Sequence, residues 1–242
     1  MASLKLPIQN LLAIADPREV PAYSISLAAH YLRIPTSTLR DWVQGGFYRV
    51  ASGKKRFAPA IKLSNPKVQL LSFYNLAEAH VLSALRRTHN VKMPAIRKAL
   101  DYVTEKYHWQ RPLIEHDFMV AGASVFVERL DHELVDAGTS GKQVMLKFIR
   151  EYMTRLEWED KLAAKFYPFT RQDLSASPRL VLIDPRFSFG RPILATARIP
   201  TAMIAERYKA GDSTKQLARD YACPIEEIEE AIRCELTTKL AA

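Results

Sequence analysis

The chain has 242 residues, 48% of them apolar and 25% charged, with a formal net charge of +9. It is long enough for one large or two small domains with real cores. It contains no stretch of about 18 uncharged apolar residues, which excludes a membrane-spanning helix.

Residues 1–21 read as a leader. Their apolar stretch is interrupted by Lys5, Pro7, Gln9 and Asn10 and lacks a compact basic start, so no secretory signal is predicted and the chain reads as cytoplasmic. Residues 22–45 then spell two short helices. Ser24 can cap the first, and Ile25, Ala28, Ala29 and Leu32 recur at helical spacing. Ile34-Pro35 ends it, because the residue before a proline is pushed out of the α region. Thr36 or Ser37 can cap the second helix, in which Leu39, Trp42 and Val43 face inward. Ser37, Thr38, Arg40 and Asp41 are left outward near the helix start, where a recognition helix presents its contacts to the major groove.

Gly45-Gly46 closes the second helix. A strand at Phe47–Val50, a turn at Ala51-Ser52-Gly53, the basic run Lys54-Lys55-Arg56 and a second strand near Ile61–Leu63 are expected to make a basic hairpin. Residues 1–65 hold nine Lys/Arg against three Asp/Glu, so most of the net charge falls on this segment, as phosphate contact requires. Tyr23-Ser24-Ile25, Ala28-Ala29, Ile34-Pro35 and Ser37-Thr38-Leu39-Arg40-Asp41-Trp42 resemble the MerR-type winged helix-turn-helix. The resemblance implies DNA contacts from Ser37, Thr38 and Arg40, with wing support from Arg49, Lys54, Lys55 and Arg56.

Helices are predicted over Phe73–Arg87, from Pro94 through Val103, and from Gln143 to Leu156. Residues 118–127 read as a small hairpin, Gly138–Gly141 as a flexible loop, Phe166–Phe169 as a short strand and Ser175–Pro178 as the best linker. No catalytic constellation emerges. The six histidines fall in no metal-ligand spacing, Glu115-His116-Asp117 reads as a solvated loop, and no phosphate-cradling glycine loop is present. Cys223 and Cys234 match no zinc pattern and read as small buried apolar residues. The chain is read as a non-enzyme with no metal and no cofactor.

After the linker come a strand at Leu180–Ile183, a loop through Phe189-Gly190-Arg191-Pro192, and three short helices from Thr201, Ser213 and Pro224. Glu226, Glu227, Glu229 and Glu230 sit in the first turns of the last helix, where the macrodipole favours negative charge. An acidic exposed face disfavours phosphate and suits a protein partner. Ile183-Asp184-Pro185, Phe189-Gly190-Arg191-Pro192, Arg198-Ile199-Pro200, Ala210-Gly211-Asp212-Ser213 and Leu217-Ala218-Arg219-Asp220-Tyr221 resemble a small bacterial domain found in VapB-type antitoxins. One departure is Ala195-Thr196-Ala197, where that family has Arg-Gly-Thr.

The expectation is a mainly α chain with small β-hairpins: a winged helix-turn-helix over 1–66, a central helical region over 67–177 and a three-helix module over 178–242. The resemblance implies an antitoxin that binds double-stranded operator DNA as a homodimer, represses its own operon and neutralises a VapC-like PIN-domain ribonuclease that uses Mg²⁺. Arg191, Arg198, Glu226, Glu227 and Glu230 are the expected partner contacts, and the helices at 73–87 and 143–156 the expected dimer contacts. The alternative is a stand-alone MerR-like regulator whose central region senses a ligand.

Overall fold

Helix α1 (Ile25–Leu32) starts where expected: the Ser24 hydroxyl accepts the Leu27 N–H at 3.2 Å. A computed structural model describes residues 16–50, 53–89, 93–131 and 139–236. α1 stops at Arg33, which turns left-handed with φ 55°. Helix α2 (Thr36–Gln44) begins directly after Pro35 and has no side-chain cap, so the hydroxyl cap expected from Thr36 or Ser37 is not made. It ends at Gly45, whose φ is +72° and where a Cβ would overlap the Phe57 carbonyl oxygen. Only glycine satisfies both demands.

Strands β1 (Gly46–Val50) and β2 (Gly53–Phe57) pair antiparallel and form the wing. The second strand lies earlier than expected. Ile61 and Leu63 are instead a buried irregular segment, held by bonds from the Ala60 and Ile61 N–H groups to the Trp42 carbonyl at 2.8 and 3.0 Å.

Helix α3 (Phe73–His89) is the centre of the molecule. Every side chain from Phe73 to Ala84 is buried, the polar ones included. A helix buried all round must satisfy its polar groups internally. His80 donates Nε2–H to the Tyr152 carbonyl at 2.9 Å, and Glu78 accepts from Asn75 and Arg111, both at 3.0 Å. The expectation that this helix supplies a dimer contact is therefore corrected, because its face is used up inside the chain.

Helix α4 (Met93–Tyr107) buries Ala95, Ile96, Ala99, Leu100 and Val103. The hairpin expected at 118–127 is a helix: one π-turn (Phe118–Gly122) runs into α5 (Ala123–Asp131). Phe118, Ala123, Phe126 and Val127 share one buried face, a helical and not an alternating period. Helix α6 (Thr139–Met153) begins inside the expected 138–141 loop and packs against α3 and α5.

Strands β3 (Leu156–Glu159) and β4 (Leu162–Phe166) follow as a tight hairpin. Its two turn residues, Asp160 and Lys161, both have positive φ, as a two-residue turn of matching twist requires. Phe166 bridges to Ile183, leading into β5 (Val181–Leu182), which pairs with β6 (Ile193–Leu194). Helices α7 (Thr201–Lys209), α8 (Thr214–Asp220) and α9 (Ile225–Leu236) close the chain around Leu194, Ile204, Leu217, Ile228 and Ala231.

The boundaries expected at 66 and 177 do not separate cores. One cluster runs from Tyr23 and Trp42 through α3 to Ile183 and Cys234. Nor is Ser175–Pro178 a free linker. Buried Arg155 reaches from the end of α6 and donates to the carbonyls of Tyr167, Pro168, Ser177 and Pro178 at 2.8–3.1 Å. Its guanidinium lies 4.8 Å from the centre of the Phe169 ring, and burial pushes its pKa down to about 10.

Arg155 carries a stability prediction. Arg155→Ala leaves several buried carbonyls without a donor, so it should lower the unfolding free energy by about 3 kcal/mol. Arg155→Lys should recover less than half, because an ammonium cannot reproduce the planar fork. A urea midpoint unchanged by either substitution would contradict this role.

Candidate functional site

Helix α2 is pinned from beneath by Leu39, Trp42 and Val43, all buried. Its outward side carries Ser37 and Arg40, both exposed, with Thr38 half-buried. With no side-chain cap, the first N–H groups of α2 remain turned outward at the positive end of the helix dipole.

The wing follows directly, and its register sorts the basic run. Phe47 lies opposite Arg56, Tyr48 opposite Lys55, and Arg49 opposite Lys54. Directly opposed residues share a face and neighbours alternate. One face therefore takes Phe47, Lys54 and Arg56. Phe47 is 67% exposed, and Lys54 and Arg56 are exposed. Among the described residues, Arg40, Lys54 and Arg56 form no ion pair. From α4, the Arg97 guanidinium lies 5.0 Å from the centre of the Phe57 ring and braces the wing at its base. Recognition helix and wing are thus adjacent, rigidly backed and positively charged.

The second candidate surface is the loop after β5. Asp184 is buried and turns the chain, accepting from the backbone and guanidinium of Arg186 at 3.0 Å. Ser188, Phe189 and Gly190 then all have positive φ, at 48°, 54° and 74°. For the two residues that are not glycine this conformation costs about 1–2 kcal/mol each. At Gly190 a Cβ would overlap the Tyr23 hydroxyl, which donates to the Gly190 carbonyl at 2.7 Å. Arg191 is exposed and hydrogen-bonds Tyr31 of α1. Arg198, itself left-handed, places its guanidinium 4.0 Å from the centre of the Phe187 ring. Among the described residues neither arginine meets a carboxylate.

The four glutamates in the first turns of α9 do not make the single acidic surface expected of them. Glu230 is 0% exposed and is clamped by Arg171 at 2.6 Å and Arg233 at 2.5 Å, with the Thr170 hydroxyl also donating to it. Glu227 is buried and accepts from Thr196. The reason is helical spacing. Positions 227, 230, 231 and 234 lie on one face, and that face packs inward. Glu226 and Glu229 are left outside, paired with Arg171 at 3.2 Å and Arg233 at 2.9 Å. Glu227 and Glu230 are thus removed from the expected partner contacts and become internal fasteners.

Cys223 and Cys234 are both buried and free, and burial pushes both thiols up. Among the described residues no group of His, Cys, Asp and Glu could hold a metal ion, and no helix is long and apolar enough to cross a membrane. Sequence reasoning missed Tyr23, Phe47 and Phe189 as functional positions. Tyr23 and Phe189 stand within the motifs of the two resemblances and Phe47 within the expected wing strand, but none carries a sequence mark of where its ring ends up.

Comparison with known proteins agrees with this layout. Residues 21–100 match the family described as "Putative DNA-binding HTH domain", which spans α1 through the first half of α4, the brace of the wing included. Residues 181–233 match "Protein of unknown function (DUF433)". The chain is 28% identical over 235 residues to "Putative antitoxin VapB45" of Mycobacterium tuberculosis, covering 88% of this chain and 93% of that one. Its fold is that of the crystal structure of Rv2018 from Mycobacterium tuberculosis, with TM-score 0.62, 23% identity, and 88% and 98% of the two chains covered. The chain is thus similar over most of its length to "Putative antitoxin VapB45", with residues 21–100 matching a DNA-binding helix-turn-helix family and residues 181–233 matching DUF433.

Proposed function

We propose that this protein is a DNA-binding antitoxin that represses its own operon and neutralises a VapC-like PIN-domain ribonuclease. The observation that carries the reading is the basic wing face of Lys54 and Arg56 beside the exposed start of α2, in a chain similar to an antitoxin along most of its length. Ser37, Thr38 and Arg40 are assigned to the major groove. Arg49, Lys54, Lys55 and Arg56 are assigned to the flanking phosphates. Arg191 and Arg198 are assigned to the toxin, with Glu226 at the edge of the same module. The protein works in the cytoplasm and binds DNA as a homodimer, since one short recognition helix and one wing cover too little duplex for specific binding. With α3 internal, the exposed side of α6 at Val144 is the remaining dimer contact of those expected.

A second reading, a ligand-responsive regulator, draws on a cleft of about 250 Å³ between the base of the wing and α4. Lys62, Glu78, Asp101 and Arg111 line it, and burial raises the pKa of Glu78. A small polar ligand that altered operator affinity without any partner protein would favour that reading.

The DNA assignment predicts a salt signature. Removing one cation from a phosphate should lower the log–log salt slope by roughly 0.9. Lys54→Ala with Arg56→Ala should therefore lower it by roughly 1.8, alike for all sequences. An unchanged slope and affinity in the double variant would remove the wing from the DNA contact. Ser37→Ala and Thr38→Ala should instead alter sequence preference, by about 1–3 kcal/mol per base contact.

The toxin assignment predicts that the chain co-purifies with the product of the adjacent reading frame and suppresses its ribonuclease activity. Arg191→Glu with Arg198→Glu should abolish that suppression while operator affinity stays unchanged. Suppression by the double variant at the wild-type level would remove both arginines from the interface.

A further inference from the structure

Phe189 is 94% exposed, far beyond any other large apolar side chain among the described residues. The loop beneath it is built like a core. Gly190 and Pro192 are buried, the Gly190 N–H bonds the Phe187 carbonyl at 2.9 Å, and the Arg191 N–H bonds the Ser188 carbonyl at 3.0 Å. Tyr23 fixes the Gly190 carbonyl from below. A rigid loop that holds two residues left-handed in order to display one aromatic ring points to a function for that ring. Because the ring is already held in place, docking it would cost little ordering entropy.

The surroundings specify the chemistry of the occupant. Arg191 lines the same groove as Phe189, Arg198 lies on the neighbouring Phe187 ring at 4.0 Å, and neither arginine meets a carboxylate among the described residues. An aromatic anchor with arginines beside it is the composition of an interface hot spot. Next to the ring lies an apolar groove of about 390 Å³, lined by Pro17, Val20, Pro21, Phe73 and Pro185. It can receive an apolar side chain from the same partner. A second copy of this chain is disfavoured, because a two-fold contact centred here would bring the same arginines together. A phosphate backbone would satisfy the arginines but offers no apolar pocket for the ring.

We propose that the Arg186–Arg198 loop is the anchor by which a folded partner protein is held. Phe189 enters an apolar pocket of the partner, and carboxylates on the pocket rim pair with Arg191 and Arg198. This rests on the antitoxin reading and names the toxin as occupant.

The test uses the full-length chain and the tagged product of the adjacent reading frame. Phe189→Ser should weaken the complex at least 100-fold, and Phe189→Leu should retain part of the affinity. Phe189→Gly removes the left-handed strain, so it should raise the melting temperature while still losing the partner, which separates docking from folding. Operator affinity and oligomeric state should be unchanged in all three. If wild type and Phe189→Ser bind the partner alike, the inference fails and the antitoxin reading stands. If wild type captures nothing, the antitoxin reading fails and the inference with it. Loss of operator affinity in Phe189→Ser would assign the ring to DNA, and conversion to monomer with capture intact would assign it to a second copy. Either result overturns the proposal.

Discussion

Tyr23 is bonded at both ends, and the arrangement of the molecule follows from it. Its backbone pairs with Leu71 just before α3, with N···O distances of 3.0 and 2.8 Å, and its phenol donates to Gly190 in the C-terminal domain at 2.7 Å. Burial holds its pKa well above the usual tyrosine range, so the hydroxyl remains a donor at any physiological pH. One residue thereby fixes the start of the helix-turn-helix to the central helix and to the loop that displays Phe189. Two further contacts from α1 reinforce the joint: His30 donates Nε2–H to the Cys234 carbonyl at 2.9 Å, and Tyr31 meets Arg191. The candidate recognition helix and the candidate partner loop are consequently parts of one packed body.

The charges are sorted by the same packing. Lys54 and Arg56 of the wing stay outside because a two-stranded ribbon has no interior to hide them, and α2 carries its apolar residues on the side facing Ile61 and α1. In the C-terminal domain the acids are consumed internally. Glu230 lies in a clamp of Arg171, Arg233 and Thr170, and Arg207 is held between Asp212 at 2.7 Å and Asp220 at 2.5 Å. A buried carboxylate is tolerable only when paired in this way. Arg191 and Arg198, like Lys209, Lys215 and Arg219, are exposed cations of this domain that meet no carboxylate among the described residues. The domain expected to present an acidic surface presents an arginine and an aromatic instead.

Much of this was legible in the sequence where a local rule decides the outcome. The Ser24 cap, the inward face of Leu39, Trp42 and Val43, and the break at Ile34-Pro35 each follow from neighbours within four residues. Where tertiary packing decides, the reading failed. Residues 118–127 contain short apolar runs broken by glycine, and such runs fit a hairpin or a helix equally well. Phe118 stacking edge-on against Phe126 at 5.8 Å settles the matter in three dimensions only. Ile61–Leu63 has strand-like composition, but Trp42 takes up its backbone before any ladder can form. The glutamates of α9 look solvated because they are charged. Their burial depends on Arg171, which is distant in sequence. Phe189 reads as a loop residue, and its exposure follows from a backbone conformation that no local pattern announces.

DNA is assigned to the N-terminal unit although the C-terminal domain also ends in three short helices. Hydrogen exchange of the full chain with and without operator DNA tests that placement most directly. Backbone amides of residues 36–57 should gain protection on DNA binding, while those of 201–236 should exchange as before. Protection appearing over 201–236 with 36–57 unchanged would contradict it.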